Sequence, residues 1–81
     1  MVERDDYAAI RDRLVALARA HGLRCDWAET SRRQRFLLLW DPAGRVVARA
    51  IVPLYPGETP ELVAALERGL AALFGDDWLE D

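Results

Sequence analysis

The segment at residues 35–54 has the pattern of a β-hairpin, and no other part of the chain constrains the fold as strongly. Two apolar runs flank the tetrapeptide Asp-Pro-Ala-Gly at residues 41–44. Proline and alanine suit the centre of a type I turn, and Gly44 can adopt the left-handed conformation that closes such a turn as a bulge. This turn predicts that Asp41 lies opposite Arg45.

Antiparallel pairing outward from the turn assigns each hairpin residue to one of two faces, because side chains alternate along a strand. The predicted pairs of large and small residues are Trp40 with Val46, Leu38 with Ala48, and Phe36 with Ala50. Such pairs are typical of a filled core face. The opposite face then carries Arg35, Leu37, Leu39, Arg45, Val47, Arg49 and Ile51. We interpret it as an open face of apolar and arginine side chains that contacts a partner.

The elements on either side of the hairpin are predicted from periodicity and capping. Apolar residues recur every three or four positions over residues 5–21, which predicts a helix. Alternation predicts a strand over residues 23–29, whose apolar face joins that of the hairpin if Glu29 pairs with Gln34. A threonine followed by a proline is typical of a helix start and predicts a second helix over residues 60–74.

The order helix, strand, strand, strand, helix predicts a single α+β domain over residues 1–81. Its sheet is a three-stranded antiparallel meander, with strands at residues 23–29, 34–41 and 45–53 and with two helices on one face. The side chains predicted to form the core are Leu14, Leu17, Trp27, Phe36, Leu38, Trp40, Leu66 and Leu73. The acidic tail at residues 76–81 is predicted to be mobile.

The composition leaves few residues for catalysis or metal binding. The chain has 1 histidine and 1 cysteine and lacks lysine, so neither a zinc cluster nor a Schiff base is expected. His21 is predicted at the end of a helix and Cys25 in the core, and the isolated glycines form no phosphate-binding loop. We therefore expect no enzymatic activity, no catalytic residue, no metal and no cofactor.

Targeting signals are also missing from the pattern. No apolar run approaches the roughly 20 residues that a membrane helix needs. The acidic first residues lack the apolar region of a secretory signal, and 1 cysteine cannot form an internal disulfide. These features predict a cytoplasmic protein without a membrane segment.

The net charge of −3 is unevenly distributed along the chain. Residues 31–60 carry +3, whereas residues 61–81 carry −5. Arg32, Arg33 and Arg35 cluster between two predicted strands and are the candidate phosphate contacts if the chain binds a nucleic acid. Two observations disfavour that function: the overall charge is negative, and the predicted open face lacks aromatic side chains for base stacking. The arginines equally suit a solvated turn paired with carboxylates.

The element order and three sequence features resemble the small HicA-type toxins, which have a double-stranded-RNA-binding-like fold. The features are the helix end at residues 21–22, the polar segment at residues 31–35 before Phe36, and the proline-containing segment at residues 52–57. The resemblance implies RNA cleavage by a histidine in the polar segment. Because residues 31–35 contain no histidine, the catalytic role of the family carries over to no residue here. The resemblance then implies the fold alone.

These observations predict a non-enzymatic interaction or dimerisation module that acts through the open sheet face. The residues assigned to partner binding are Arg35, Leu37, Leu39, Arg45, Val47, Arg49, Ile51 and Trp78. A homodimer is the expected assembly, and a protein encoded nearby is the other candidate partner. A nucleic-acid-binding domain or a degenerate HicA-like RNA binder is the alternative function. The sequence leaves open whether a second copy, another protein or the acidic tail closes the face.

Overall fold

The computed structural model describes residues 3–29 and 31–80, with the side chain of Glu29 outside that description. Its elements are helix α1 (Tyr7–Ala20), strands β1 (Arg24–Glu29), β2 (Gln34–Trp40) and β3 (Val46–Pro53), a 3-10 turn (Pro56–Glu58), helix α2 (Pro60–Gly69) and the short helix α3 (Ala71–Phe74). The strands form one antiparallel sheet in the order β1-β2-β3, and the helices pack on one of its faces. The predicted α+β class and meander are confirmed.

Helix α1 begins and ends as its flanking residues predict. The Asp6 carboxylate accepts a hydrogen bond from the Ala8 backbone N–H at 3.0 Å, which satisfies a donor of the first turn. Gly22 follows the helix with a φ of 71°, a conformation that other residues rarely adopt. The second predicted helix, in contrast, is divided, because α2 ends at Gly69 and α3 is a separate short helix.

The turn between β2 and β3 has the predicted hydrogen bonds. The Asp41 N–H donates to the Arg45 carbonyl at 2.8 Å, and the Gly44 N–H donates to the Asp41 carbonyl at 3.0 Å. The Asp41 carboxylate also accepts from the Arg45 N–H at 2.9 Å. Gly44 has a φ of 84°, in the left-handed region that favours glycine. Trp40 consequently lies opposite Val46, as predicted.

A β-bulge next to this pair changes the register of the rest of the hairpin. Leu39 pairs with Ala48, which leaves Val47 as an extra residue of β3. Every later pair is displaced by one residue, and a slip of one residue exchanges the two faces of a strand. The predicted pairing of Leu38 with Ala48 is wrong, since Leu38 lies opposite Arg49.

The pairing between β1 and β2 also differs from the prediction by one residue. Glu29 pairs with Arg35 instead of Gln34, although β1 ends and β2 begins at the predicted residues. Trp27 therefore lies opposite Leu37. Both differences have the same effect: β2 is inverted, whereas β1 keeps its predicted inner face and β3 keeps its own from Ala48 onward. Val46, as the partner of Trp40, lies on the other face with it.

The inversion of β2 places Leu37 and Leu39 in the core, where both are fully buried. The buried cluster consists of Ile10, Leu14, Ala18, Leu37, Leu39, Val52, Val63, Leu66, Leu70, Trp78 and Leu79, with Leu17, Trp27 and Leu73 partly buried against it. Phe36, Leu38 and Trp40 lie on the other face of the sheet, so their assignment to the core is wrong. The assignment of Leu37 and Leu39 to partner contact is wrong for the same reason.

The acidic tail packs on the helices, contrary to the prediction. Trp78 is 3% exposed and Leu79 is fully buried. The Trp78 indole N–H donates to the Glu67 carbonyl at 2.8 Å, and Arg13 Nε donates to the Trp78 carbonyl at 2.9 Å. The assignment of Trp78 to partner binding is therefore wrong, because the chain turns at Gly75, with a φ of 94°, and Trp78 packs against the helices. The last residue of the predicted tail lies outside the described part of the chain.

Candidate interaction surface

The sheet face opposite the helices is the candidate site, and we call it the open face. It consists of the side chains of Arg24, Asp26, Ala28, Phe36, Leu38, Trp40, Val46, Arg49 and Ile51, with the exposed bulge residue Val47 beside them. The strand register arranges most of them in rows across the strands, and adjacent side chains within a row lie within contact distance of each other. The middle row consists of Asp26, Leu38 and Arg49. The neighbouring row, toward the end of β3, consists of Ala28, Phe36 and Ile51.

A strip of apolar side chains runs along the central strand of the open face. Phe36, Leu38 and Trp40 are half-buried, and none of them belongs to the core cluster. Val47 and Ile51 on β3 expose 42% and 46% of their surface. Soluble proteins usually limit contiguous exposed apolar patches, so this strip is the strongest indication of a contact surface.

Charged side chains flank the apolar strip on both outer strands. The Arg24 guanidinium carbon lies 5.4 Å from the centre of the Trp40 ring, which is a cation–π distance. Asp26 and Arg49 lie on opposite sides of Leu38, and neither forms an ion pair with a residue that the structure describes. The open face therefore presents an apolar centre with Arg24 and Asp26 on one side and Arg49 on the other.

The two indole groups of Trp40 and Trp78 have different environments. Within residues 3–29 and 31–80, the Trp40 indole N–H is buried and has no hydrogen-bond acceptor. A buried donor without an acceptor costs about 1–3 kcal/mol of folding free energy. The Trp78 indole N–H lies on the helix side and donates to the Glu67 carbonyl. The two groups can therefore report separately on the two sides of the sheet.

Part of the predicted open face lies where the sequence places it. Val47, Arg49 and Ile51 are exposed on the open face, and Arg45 is exposed at the adjoining turn. The open-face residues that were not assigned to partner contact are Arg24, Asp26, Ala28, Phe36, Leu38, Trp40 and Val46. The two consecutive valines at residues 46–47 mark the bulge in β3, which contributes to placing Phe36, Leu38 and Trp40 on this face.

The arginines between β1 and β2 are largely engaged within the chain. Arg33 forms an ion pair with Glu58 at 3.0 Å. Its guanidinium carbon also lies 5.9 Å from the centre of the Tyr55 ring. Arg35 lies on the same side of the sheet as the core, and its guanidinium donates to two backbone carbonyls at 3.3 Å. Of these three arginines, Arg32 alone has no such contact to a described residue. Fewer guanidinium groups are therefore free to contact phosphate than the sequence predicts.

A groove of about 370 Å³ continues the open face around the outer edge of β3. Phe36, Ala50 and Ile51 line its sheet side, and Leu62, Ala65 and Gly69 line it on α2. Strand β3 pairs only with β2 in the described sheet, so its outer edge has no neighbouring strand. The groove widens the apolar surface that the open face offers.

His21 and Cys25 have separate environments in the described structure. Residues 3–29 and 31–80 contain no group of histidine, cysteine, aspartate and glutamate side chains that could hold a metal ion. The His21 ring packs against Phe74, with the ring centres 5.2 Å apart. Burial raises the pKa of the Cys25 thiol above its ordinary value, which lowers its thiolate fraction and its reactivity near neutral pH.

The helices that the structure describes are too short or too polar to cross a membrane. Comparisons with protein families, with curated proteins and with solved structures find no match to this chain. The resemblance to HicA-type toxins therefore stays a prediction.

Proposed function

We propose that this chain is a non-enzymatic interaction module that self-associates through its open sheet face. One observation carries the proposal: the strip formed by Phe36, Leu38 and Trp40 lies on the face that the helices leave uncovered. Fully burying an exposed Leu or Phe side chain contributes about 1.5–3 kcal/mol. Because Phe36, Leu38 and Trp40 are already half-buried, a surface that packs against the strip gains a part of that from each of the three.

The size of the sheet sets the expected strength of this association. Three strands of about seven residues, spaced as in ordinary sheets, cover roughly 300 Å² in projection. Stable interfaces bury about 800 Å² of accessible surface on each partner, so the open face by itself is smaller than a standard interface and belongs with weak, transient contacts. We therefore expect a reversible dimer that forms at micromolar concentration, in which the groove beside β3 contributes additional contact.

Substitution at the centre of the face tests the proposal. Leu38→Glu places a carboxylate in the apolar strip, whereas Ala16→Glu adds the same charge at an exposed position on α1. Light scattering coupled to gel filtration should show that the wild-type chain and the Ala16→Glu control increase in mass with concentration. The Leu38→Glu chain should remain at its monomer mass of 9.2 kDa. Association of the Leu38→Glu chain at wild-type strength would reject the open face as the contact surface.

Nucleic-acid binding is the second candidate, and one observation favours it. Phe36 and Trp40, which were expected in the core, lie on the open face, where aromatic rings can stack on unpaired bases. The net charge of −3 and the carboxylate of Asp26 in the middle row oppose it, because both repel phosphate. A salt-titrated shift assay with single-stranded RNA decides between the candidates. Tight binding that is lost in Trp40→Ala would favour the nucleic-acid function over self-association.

A further inference from the structure

We propose that the second copy docks with its two-fold axis parallel to β2, so that Asp26 of each copy meets Arg49 of the other. This inference rests on the proposed function and specifies its geometry. The expected partner is a second copy of this chain, because the pattern of charge and side-chain size on the open face is complementary to itself.

The middle row of the sheet supplies the charge pattern. Asp26, Leu38 and Arg49 are paired across the three strands, so the acid lies on one side of Leu38 and the base on the other. Neighbouring strands lie about 4.8 Å apart, so Asp26 and Arg49 are separated by roughly 10 Å within one chain. The two side chains are thus too far apart to neutralise each other directly, and both are exposed.

A two-fold axis between two stacked sheets exchanges their outer strands when it runs along β2. Strand β1 of one copy then covers β3 of the other, and each residue keeps its position along the strand. Leu38 meets Leu38 on the axis, and Asp26 meets Arg49 twice, once on each side. Stacked sheets lie about 10 Å apart with their strands within about 30° of each other, so this arrangement is an ordinary sandwich.

The outer positions of the neighbouring row fit the same axis by size. It places the small side chain of Ala28 over Ile51 of the other copy, and Phe36 over Phe36. Ile51 is 46% exposed in the single chain, so its side chain is accessible to Ala28 of the other copy. A large side chain that meets a small one allows the two faces to approach closely.

The other axis in the plane of the sheets gives the opposite result. An axis across the strands, through the middle row, places β1 on β1 and β3 on β3. Asp26 then meets Asp26 and Arg49 meets Arg49, which brings like charges together at both sides. Like charges in direct opposition destabilise a contact between strands or across an interface. The charges of the middle row therefore select the axis along β2.

Two charge reversals that compensate only between chains test this geometry. In Asp26→Arg every cross-copy contact of the middle row joins two arginines, and in Arg49→Asp every such contact joins two aspartates. Each variant alone should associate at least about tenfold more weakly than the wild-type chain. An equimolar mixture of the two should form a heterodimer, because both of its contacts then join opposite charges. Sedimentation velocity at low and high salt measures all three samples, and the gain on mixing should shrink as salt screens the pairs.

Each outcome separates this geometry from the proposed function. If the single variants associate as the wild-type chain does, while Leu38→Glu does not, the axis along β2 is rejected and self-association through the open face stands. The same conclusion follows if both variants are monomers and mixing them restores nothing. A wild-type chain that is monomeric at high micromolar concentration rejects both. The double variant Asp26→Arg/Arg49→Asp should again self-associate, because its cross-copy contacts join opposite charges. Circular dichroism of this variant and of the two single variants controls for folding.

Discussion

Leu37 and Leu38 are neighbours in the chain, but they lie on opposite faces of the sheet. Leu37 is fully buried under the helices, whereas Leu38 is half-buried on the open face. A truncation at each position therefore measures a different environment. Since deletion of buried methyl groups leaves a cavity that the surroundings only partly fill, the two residues should contribute very unequally to the stability of a single chain.

We expect Leu37→Ala to lower the free energy of unfolding by about 2–5 kcal/mol. Leu38→Ala should lower it by about 1 kcal/mol or less when measured at low concentration, where the chain is monomeric. Urea denaturation of the two variants gives both values. Equal costs, or a larger cost for Leu38→Ala, would contradict the register of β2.

At the scale of single elements, β2 shows where sequence reasoning succeeds and where it stops. The turn at residues 41–44 and the inner faces of β1 and β3 were predictable, because their glycine, proline and alternating residues act locally. The run from Phe36 to Trp40 is apolar at every position and has no alternation of its own, so its orientation depends on the register of its neighbours. A bulge at Val47 and a one-residue shift in the pairing of β1 with β2 reversed its orientation, and this moved Leu37 and Leu39 out of the predicted contact site.

The tail is the other element that local reasoning misplaced. Its charge suggests a solvated end, but two apolar residues among the acids, Trp78 and Leu79, complete the core under the helices. The composition of a six-residue segment does not show whether a gap exists elsewhere in the fold for its apolar side chains. That information comes from the packing of α1 and α2, which are distant in the sequence.

The anchoring of the tail leads to a prediction with two graded substitutions. Trp78→Ala should lower the free energy of unfolding by about 3–5 kcal/mol, because it empties a buried aromatic site. Trp78→Phe keeps most of the ring and removes the hydrogen bond to the Glu67 carbonyl, for which we expect a loss of about 1 kcal/mol or slightly more. Thermal and urea unfolding measure both variants. A Trp78→Ala chain with unchanged stability would show that the tail is not part of the core.

At the scale of the whole molecule, the domain has two layers, one sheet and one layer of helices. Its shortest dimension is 18 Å, and packed layers lie about 10 Å apart, so this thickness accommodates two layers. The described residues thus leave one sheet face uncovered. A second copy would cover it with its own sheet, and the dimer would have four layers with the helices outside.

The central claim is that the chain self-associates through the open face, and the indole N–H signals of its three tryptophans test it most directly. In ¹⁵N–¹H spectra recorded from low to high micromolar concentration, the Trp40 signal should shift as the molar mass rises, because its ring lies on the open face. The Trp78 signal should stay in place, since that group is hydrogen-bonded and buried on the helix side. A rise in mass with a moving Trp78 signal and a fixed Trp40 signal would contradict the claim, as would a full dilution series in which neither the mass nor the Trp40 signal changes.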